Sequence, residues 1–209
     1  MFSIGLLASP TVRHYLNRGV VTVFCALSFL LVGCSPKLDW RTVQSERLGY
    51  SALFPAKPKQ AERKLPYAGM ELTQTLDLAQ LDHVILSVTT IEIPSAIQSQ
   101  AEILLKQLQK NMLSSLSIGE SKPIIEKSSY LIVGSGRIKA EVDDYLIEIK
   151  NADSDRWMRV RWIVRPDLEG GSRIYQQTLL MSAPPKAVSY KDELRAEKWD
   201  PFFDEFRVQ

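Results

Sequence analysis

The sequence has few of the side chains on which most metal and thiol chemistry depends. It contains two cysteines, Cys25 and Cys34, and two histidines, His14 and His83. Zinc sites of the usual kind need three or four Cys or His ligands. Because Cys25 and His14 fall in an N-terminal leader, the remaining chain cannot supply such a set. We therefore expect no metal, no other cofactor and no disulfide in the folded domain.

The chain also lacks a strong net charge. It has 26 basic and 24 acidic side chains, and the leader holds Arg13 and Arg18 but no acid, so the rest of the chain is formally neutral. Nucleic-acid-binding domains typically show a basic excess, and we expect no such partner. Seven basic residues and three acids do lie between Lys37 and Lys64. Weak attraction to acidic lipid headgroups and a simple solvated face both fit this excess, and we favour the solvated face.

The N-terminal apolar run is too short to span a bilayer. A helix over Gly19–Gly33 would rise about 22 Å, whereas the hydrocarbon core is about 30 Å thick. An uncharged segment of this length behind Arg13 and Arg18 is typical of a secretory signal.

The run ends in Leu31-Val32-Gly33-Cys34, which resembles the lipobox of bacterial lipoproteins. The resemblance implies cleavage after Gly33 and a thioether-linked diacylglycerol on Cys34, usually with a third acyl chain on the new amino terminus. Ser35 follows instead of an aspartate, which by the same resemblance implies sorting to the outer membrane. The alternative is an uncleaved anchor or a chance match. We expect a signal peptide (1–33), a lipidated tether (34–39) and one domain (40–209).

Alternating apolar residues predict a strand-rich domain. Strand Val84–Ile93 carries apolar residues on both faces, which predicts that both are covered. The other predicted strands are Trp40–Val43, Gly49–Phe54, Met70–Leu78, Ile124–Lys127, Tyr130–Val133, Arg137–Lys150, Arg156–Arg165 and Arg173–Ser182.

The clearest helical pattern is Ser95–Leu116, whose apolar residues fall on one face at helical spacing. Ser95 with Gln98 three residues later fits a capping box, and Gly119 can close the helix. We expect this helix to pack on the sheet instead of serving as a partner or membrane helix. Ser189–Lys198 and a turn from Asp200-Pro201 are further helical segments.

This order of elements resembles the α/β/α sandwich of PsbP-like proteins. Gly49-Tyr50-Ser51-Ala52-Leu53-Phe54-Pro55 is similar to their opening strand, and Arg173-Ile174-Tyr175 with Phe203-Asp204-Glu205-Phe206 is similar to their closing strand and Phe-rich end. The resemblance implies an α+β fold with helices packed on an antiparallel sheet. It implies no catalytic residues, and a role in binding or assembly.

Three side chains are candidates for hydrolytic chemistry. His83 sits beside Asp82 at a predicted turn, but adjacent strand residues point to opposite faces, so Asp82 is badly placed to orient it. Asp143 and Asp144 would meet only across a β-bulge, and the apolar phase does shift there. We favour a surface histidine and a structural bulge over a catalytic site.

Arg159 and Arg161 share one face of a predicted strand and form a candidate anion or partner surface. A hairpin with Tyr145, Ile147 and Ile149 opposite Trp162, Val160 and Met158 offers a simpler account. That register places Glu148 across from Arg159, while Asp144 meets Ile163 and reaches Arg161 diagonally. An exposed ion pair contributes about 0–1 kcal/mol. We favour cross-strand charge pairing over an anion site.

These observations predict a non-catalytic lipoprotein on the periplasmic face of the outer membrane. Its expected partners are the membrane, through the lipid on Cys34, and another envelope protein. A second hypothesis is a carrier that holds a small or lipidic ligand between helix Ser95–Leu116 and the sheet. A third is a hydrolase that uses Asp143, Asp144 or His83.

Overall fold

A computed structural model describes residues 38–116, 122–133, 138–150, 152–183 and 188–209. These residues belong to one compact unit, Leu38–Gln209. The predicted signal peptide, including Gly33, and the predicted lipidation site Cys34 lie outside the described residues. Within the described ranges, no helix combines the length and apolar character needed to cross a membrane.

Ten strands dominate the domain: 54% of the described residues are strand and 22% are helical. The strands are β1 (Arg41–Ser45), β2 (Tyr50–Phe54), β3 (Lys59–Tyr67), β4 (Met70–Leu81), β5 (Val84–Ile93), β6 (Ile124–Ile132), β7 (Ile138–Ile149), β8 (Arg156–Pro166), β9 (Ser172–Ser182) and β10 (Arg207–Val208).

All ten strands belong to one sheet, in the order β1-β2-β10-β6-β7-β8-β9-β5-β4-β3. Neighbours are antiparallel except β10 and β6, which are parallel. The sheet curls into a half-barrel, so the expected PsbP-like α/β/α sandwich is wrong. The helical segments near the C terminus are too short to form a layer, and they pack against one face of the sheet.

The predicted long helix is divided in two. A 3-10 helix over Ser95–Gln100 contains the non-helical Ile97 (φ −127°) and leads into α1 (Ala101–Ser115). Ser95 does not cap it, because Pro94 occupies the position before the first turn and no side-chain cap forms. Gly119 lies outside the described residues. Two five-residue helices follow near the C terminus, α2 (Tyr190–Leu194) and α3 (Asp200–Asp204).

Strand β3 has no counterpart among the predicted strands. Its residues are mostly charged or exposed, so they show no apolar alternation. Pairing with β4, from Lys59 opposite Leu78 to Tyr67 opposite Met70, is what makes this segment a strand. Charged side chains and Pro66 on such an edge discourage pairing with other chains.

The two faces of the sheet carry separate cores. On the α1 face, Leu104 of α1 belongs to a buried cluster with Ile147, Val160 and Ile174. On the opposite face, called here the α3 face, a larger cluster is built around aromatic side chains. Its buried aromatic members include Tyr50, Phe54, Tyr175, Trp199, Phe202, Phe203 and Phe206. Strand β5 contributes buried residues to both clusters, which confirms that both of its faces are covered.

Strand direction sorts the connections into two ends of the domain. The end where Leu38 enters, called here the tether end, collects the start of β1, the β2–β3 loop, the β4–β5 turn and the β7–β8 loop. The far end collects the β1–β2, β3–β4 and β8–β9 turns and the link from β5 to α1. The Asp39 N–H donates to the Pro55 carbonyl (3.0 Å), which fixes the entering chain beside the β2–β3 loop.

Candidate functional site

The two arginines expected at a surface are buried. Arg159 and Arg161 do share a face of β8, but their exposed fractions are 8% and 0%, and that of Asp144 is 2%. The predicted register is wrong by two residues, because Asp144 lies directly opposite Arg161 and Leu146 lies opposite Arg159. Glu148 consequently faces Trp157 and not Arg159.

One carboxylate serves both guanidinium groups. Arg161 Nε donates to Asp144 Oδ1 at 2.7 Å, and Arg159 Nη2 donates to Oδ2 at 2.6 Å. The ring of Phe203 lies beneath them, 3.9 Å from Arg159 Cζ and 5.2 Å from Arg161 Cζ. Arg161 also bonds Ser128 Oγ. Asp144, Arg159 and Arg161, called here the buried cluster, therefore place two positive charges and one negative charge inside the protein.

The buried cluster holds the C-terminal helices through their backbone. Arg161 Nη1 donates to the Phe203 carbonyl (2.7 Å), and Arg159 Nη1 reaches the Leu194 carbonyl (3.5 Å). Carbonyls at the end of a helix lack partners within it and carry partial negative charge. They therefore help to compensate the extra positive charge. Because α2 and α3 cover it, the predicted anion or partner surface at Arg159 and Arg161 is not a surface.

The two adjacent carboxylates do not form a dyad. Asp143 points away from Asp144 and accepts from Lys127 Nζ at 2.6 Å, which raises the pKa of that amine. The ladder between β6 and β7 runs in constant register through both residues, so the predicted bulge is wrong. The apolar residues of β7 change from one face of the strand to the other because both faces are buried near Leu146 and Ile147.

His83 lies far from either carboxylate along the sheet, at the turn between β4 and β5. The turn is formed by Asp82, whose φ is 44°. The side chain of His83 is exposed and lines a pocket of about 200 Å³ with Arg156 and Ser182 at the tether end. The three residues considered for hydrolysis therefore occupy three separate environments.

A polar pocket of about 350 Å³ opens at the far end, where β4, β5 and β9 meet the β8–β9 turn. Asp167 shapes this turn, because its Oδ1 accepts from the N–H groups of Glu169 (3.0 Å) and Gly171 (2.8 Å). Leu168, at the tip of the turn, is 95% exposed. The charged side chains that line the pocket are Glu71, Glu92, Asp167, Glu169 and Arg173.

Sequence reasoning missed this pocket, because its lining comes from three segments that are distant in sequence. The sequence does indicate a turn at Leu168–Ser172 through its two glycines, but it does not indicate which strands face that turn. Arg173 lies closely over Gly49, where an added Cβ would stand 2.8 Å from Arg173 Nη1. Burial raises the pKa of Tyr175 beside it to about 12.

No protein-family model matches this chain, and no curated protein matches it. Within the described residues, no group of three or more His, Cys, Asp or Glu side chains is arranged to hold a metal ion. Any functional role must therefore be argued from the chain's own residues.

Proposed function

We propose that this chain is a lipid-anchored envelope protein whose domain binds another envelope component at the periplasmic face of the outer membrane. The observation that carries the proposal is Leu31-Val32-Gly33-Cys34 at the end of an uncharged apolar run. Only Ser35-Pro36-Lys37 separates Cys34 from Leu38, where the compact unit begins. A lipid on Cys34 would hold the domain close to the bilayer.

The environment of the charged side chains supports a binding role over a hydrolytic one. Asp144 accepts hydrogen bonds from two buried arginines, and Asp143 pairs with Lys127. His83 lies at a turn away from both. Since these groups hold the fold together or stand alone, we do not extend the proposal to a hydrolase.

Palmitate labelling tests the anchor directly. The full chain is expressed in a bacterium that processes lipoproteins, in the presence of radiolabelled palmitate. We expect label on the wild type and on Cys25→Ala, and none on Cys34→Ala. Equal labelling of Cys34→Ala would refute the lipid anchor. Recovery of the labelled protein in the inner-membrane fraction would refute the proposed location alone.

Crosslinking tests the binding role. Intact cells that express the labelled wild type are treated with a short amine-reactive crosslinker, and Cys34→Ala serves as the unanchored control. We expect a discrete adduct with one envelope protein that the wild type forms and the control loses. Identical adduct patterns for the two proteins would count against a role at the membrane.

A carrier is the second candidate, and the half-buried end of α1 favours it. Leu104 is buried, but further along the helix Leu108, Met112 and Leu116 remain partly exposed above the sheet. These apolar side chains offer contact area to a lipidic ligand. Native mass spectrometry of the Cys34→Ala protein should then show a bound lipid mass. A single unliganded mass, with the same result after incubation with membrane lipids, would exclude the carrier.

A further inference from the structure

The short connection to Cys34 limits how the domain can stand on a bilayer. Four residue steps separate Cys34 from Leu38, and an extended chain advances at most about 3.6 Å per residue, so the two Cα atoms lie within about 14 Å. Leu38 and Trp40 pack against the core of the α3 face. The chain therefore leaves the domain at a fixed point on the tether end.

The tether end carries basic side chains that are free to meet another surface. Lys57, Lys59, Lys122 and Arg156 are exposed there, and none forms an ion pair with another described residue. Among the described residues of this end, the acids outside the ion pairs are Asp82 and Asp153, and Lys191 and Asp192 at the start of α2 add one charge of each sign, so basic side chains remain in excess. Exposed apolar area adds to the basic excess: Ile125 lies near the start of β6, and Val188 lies two residues before Tyr190, whose ring faces Trp157.

We propose that the tether end rests on the lipid headgroups, with Lys57, Lys59 and Lys122 facing acidic phosphates. This inference rests on the proposed lipid anchor and adds an orientation to it. The far end, with Leu168 and its polar pocket, then points away from the bilayer. Salt screens the attraction between a lysine and an anionic surface beyond about 8 Å at physiological ionic strength, so the lysines must lie close to the headgroups.

Single-cysteine probes can measure this orientation, because cleavage would remove Cys25 and lipidation would occupy Cys34. In a Cys25→Ala background, fluorophores are attached at Asp82→Cys for the tether end and at Leu168→Cys for the far end. The purified lipidated protein is reconstituted into vesicles of phosphatidylethanolamine and phosphatidylglycerol that contain a headgroup-linked nitroxide quencher. We expect quenching at Asp82→Cys to be at least threefold stronger than at Leu168→Cys.

Equal quenching at both ends, or stronger quenching at Leu168→Cys, would overturn the orientation. Palmitate labelling of the same preparations separates this failure from the loss of the anchor. If palmitate is absent, the proposed function fails. If palmitate is present and quenching is even, the anchor stands and the orientation fails.

Charge variants test the headgroup contact itself. Replacing Lys57, Lys59 and Lys122 together by Gln should reduce quenching at Asp82→Cys about twofold and remove its dependence on salt. The control changes Arg63 and Lys64 to Gln. Both side chains are exposed on β3, further along the strand than Lys59, and they bond Gln74 and Thr73. We expect the control to leave quenching unchanged. Unchanged quenching in the Lys57/Lys59/Lys122 variant would refute the contact with acidic headgroups.

Discussion

Replacing Asp144 should strongly destabilise the domain even when the shape of the side chain is kept. Asp144→Asn keeps the side-chain volume and removes the only carboxylate among the described residues that Arg159 and Arg161 bond. Removing one partner from a buried ion pair costs about 3–5 kcal/mol, because the remaining charge is left uncompensated. Native domains are stable by about 5–15 kcal/mol. We therefore expect Asp144→Asn to remove a large part of the free energy of unfolding.

Urea and thermal unfolding, followed by tryptophan fluorescence and near-ultraviolet circular dichroism, measure this loss. For a domain of this size each kcal/mol corresponds to about 2–4 °C in Tm. We expect the Tm to fall by about 6–20 °C. Asp143→Asn is the matched control, since it makes the same chemical change one residue away. Its ion pair with Lys127 is exposed and screened by solvent, so we expect the Tm of Asp143→Asn to fall much less than that of Asp144→Asn.

The comparison of the two neighbours decides whether the reasoning holds. Similar losses of stability for Asp143→Asn and Asp144→Asn would show that burial of the cluster does not govern its energetics. A variant with Asp144→Leu, Arg159→Met and Arg161→Met adds a second check. Replacing a whole buried ionic cluster by apolar residues is often neutral or stabilising. The triple variant also loses the arginine donors to the Phe203 and Leu194 carbonyls, so a triple variant at least as stable as Asp144→Asn would identify uncompensated charge as the larger cost.

Two further predictions concern a glycine and a carboxyl. Gly49→Ala should lower the Tm more than Gly69→Ala, although both glycines have positive φ, because Gly69 has open space around it. At Gly49 the new Cβ would lie 2.8 Å from the movable end of Arg173 and 3.2 Å from Tyr175 Oη, which is buried and held by its bond to the Leu48 carbonyl. Equal shifts in Tm would contradict the steric argument. Partial desolvation and the neighbouring Asp200 raise the pKa of Asp204. The unfolded chain therefore loses this proton at a lower pH than the folded chain does, so the free energy of unfolding should fall as pH rises through the folded pKa. Unfolding titrations of Asp204→Asn should lack that component, and an unchanged pH profile would oppose this assignment.

The apolar pattern of the sequence predicted the strands well where a strand is buried and has a neighbouring strand on each side. Strand β5 has the predicted bounds Val84–Ile93, and β7 and β8 each begin or end within one residue of expectation. Edge strand β3 was missed because its side chains are exposed and only its hydrogen bonds to β4 define it. A pattern of apolar residues carries no information about such a strand.

The candidate site failed for a different physical reason. The alternation along β8 correctly placed Arg159 and Arg161 on one face, but alternation leaves the register free to slip by two. The β7–β8 loop sets that register, and nothing in its sequence specifies the pairing of Asp144 with Arg161. Burial of the arginines depends further on α2 and α3, which lie 35 to 42 residues away in sequence. Arg159 and Arg161 were predicted to be exposed because the helices that bury them are distant in sequence.

The C-terminal helices that cover the arginines also connect the hairpin after the predicted tether to the centre of the sheet. Hairpin β1–β2, which follows the tether, joins the main sheet through β10, which pairs with Tyr50 and Ser51 on one side and with Leu131 and Ile132 on the other. β10 follows α3, and Arg161 bonds the Phe203 carbonyl of α3 from the middle of β8. Side-chain bonds from Tyr50 to Asp77 and from Arg47 to Glu92 close the other side of the hairpin. The buried cluster thus stabilises the segment that attaches the β1–β2 hairpin to the main sheet, which gives these costly buried charges a structural role.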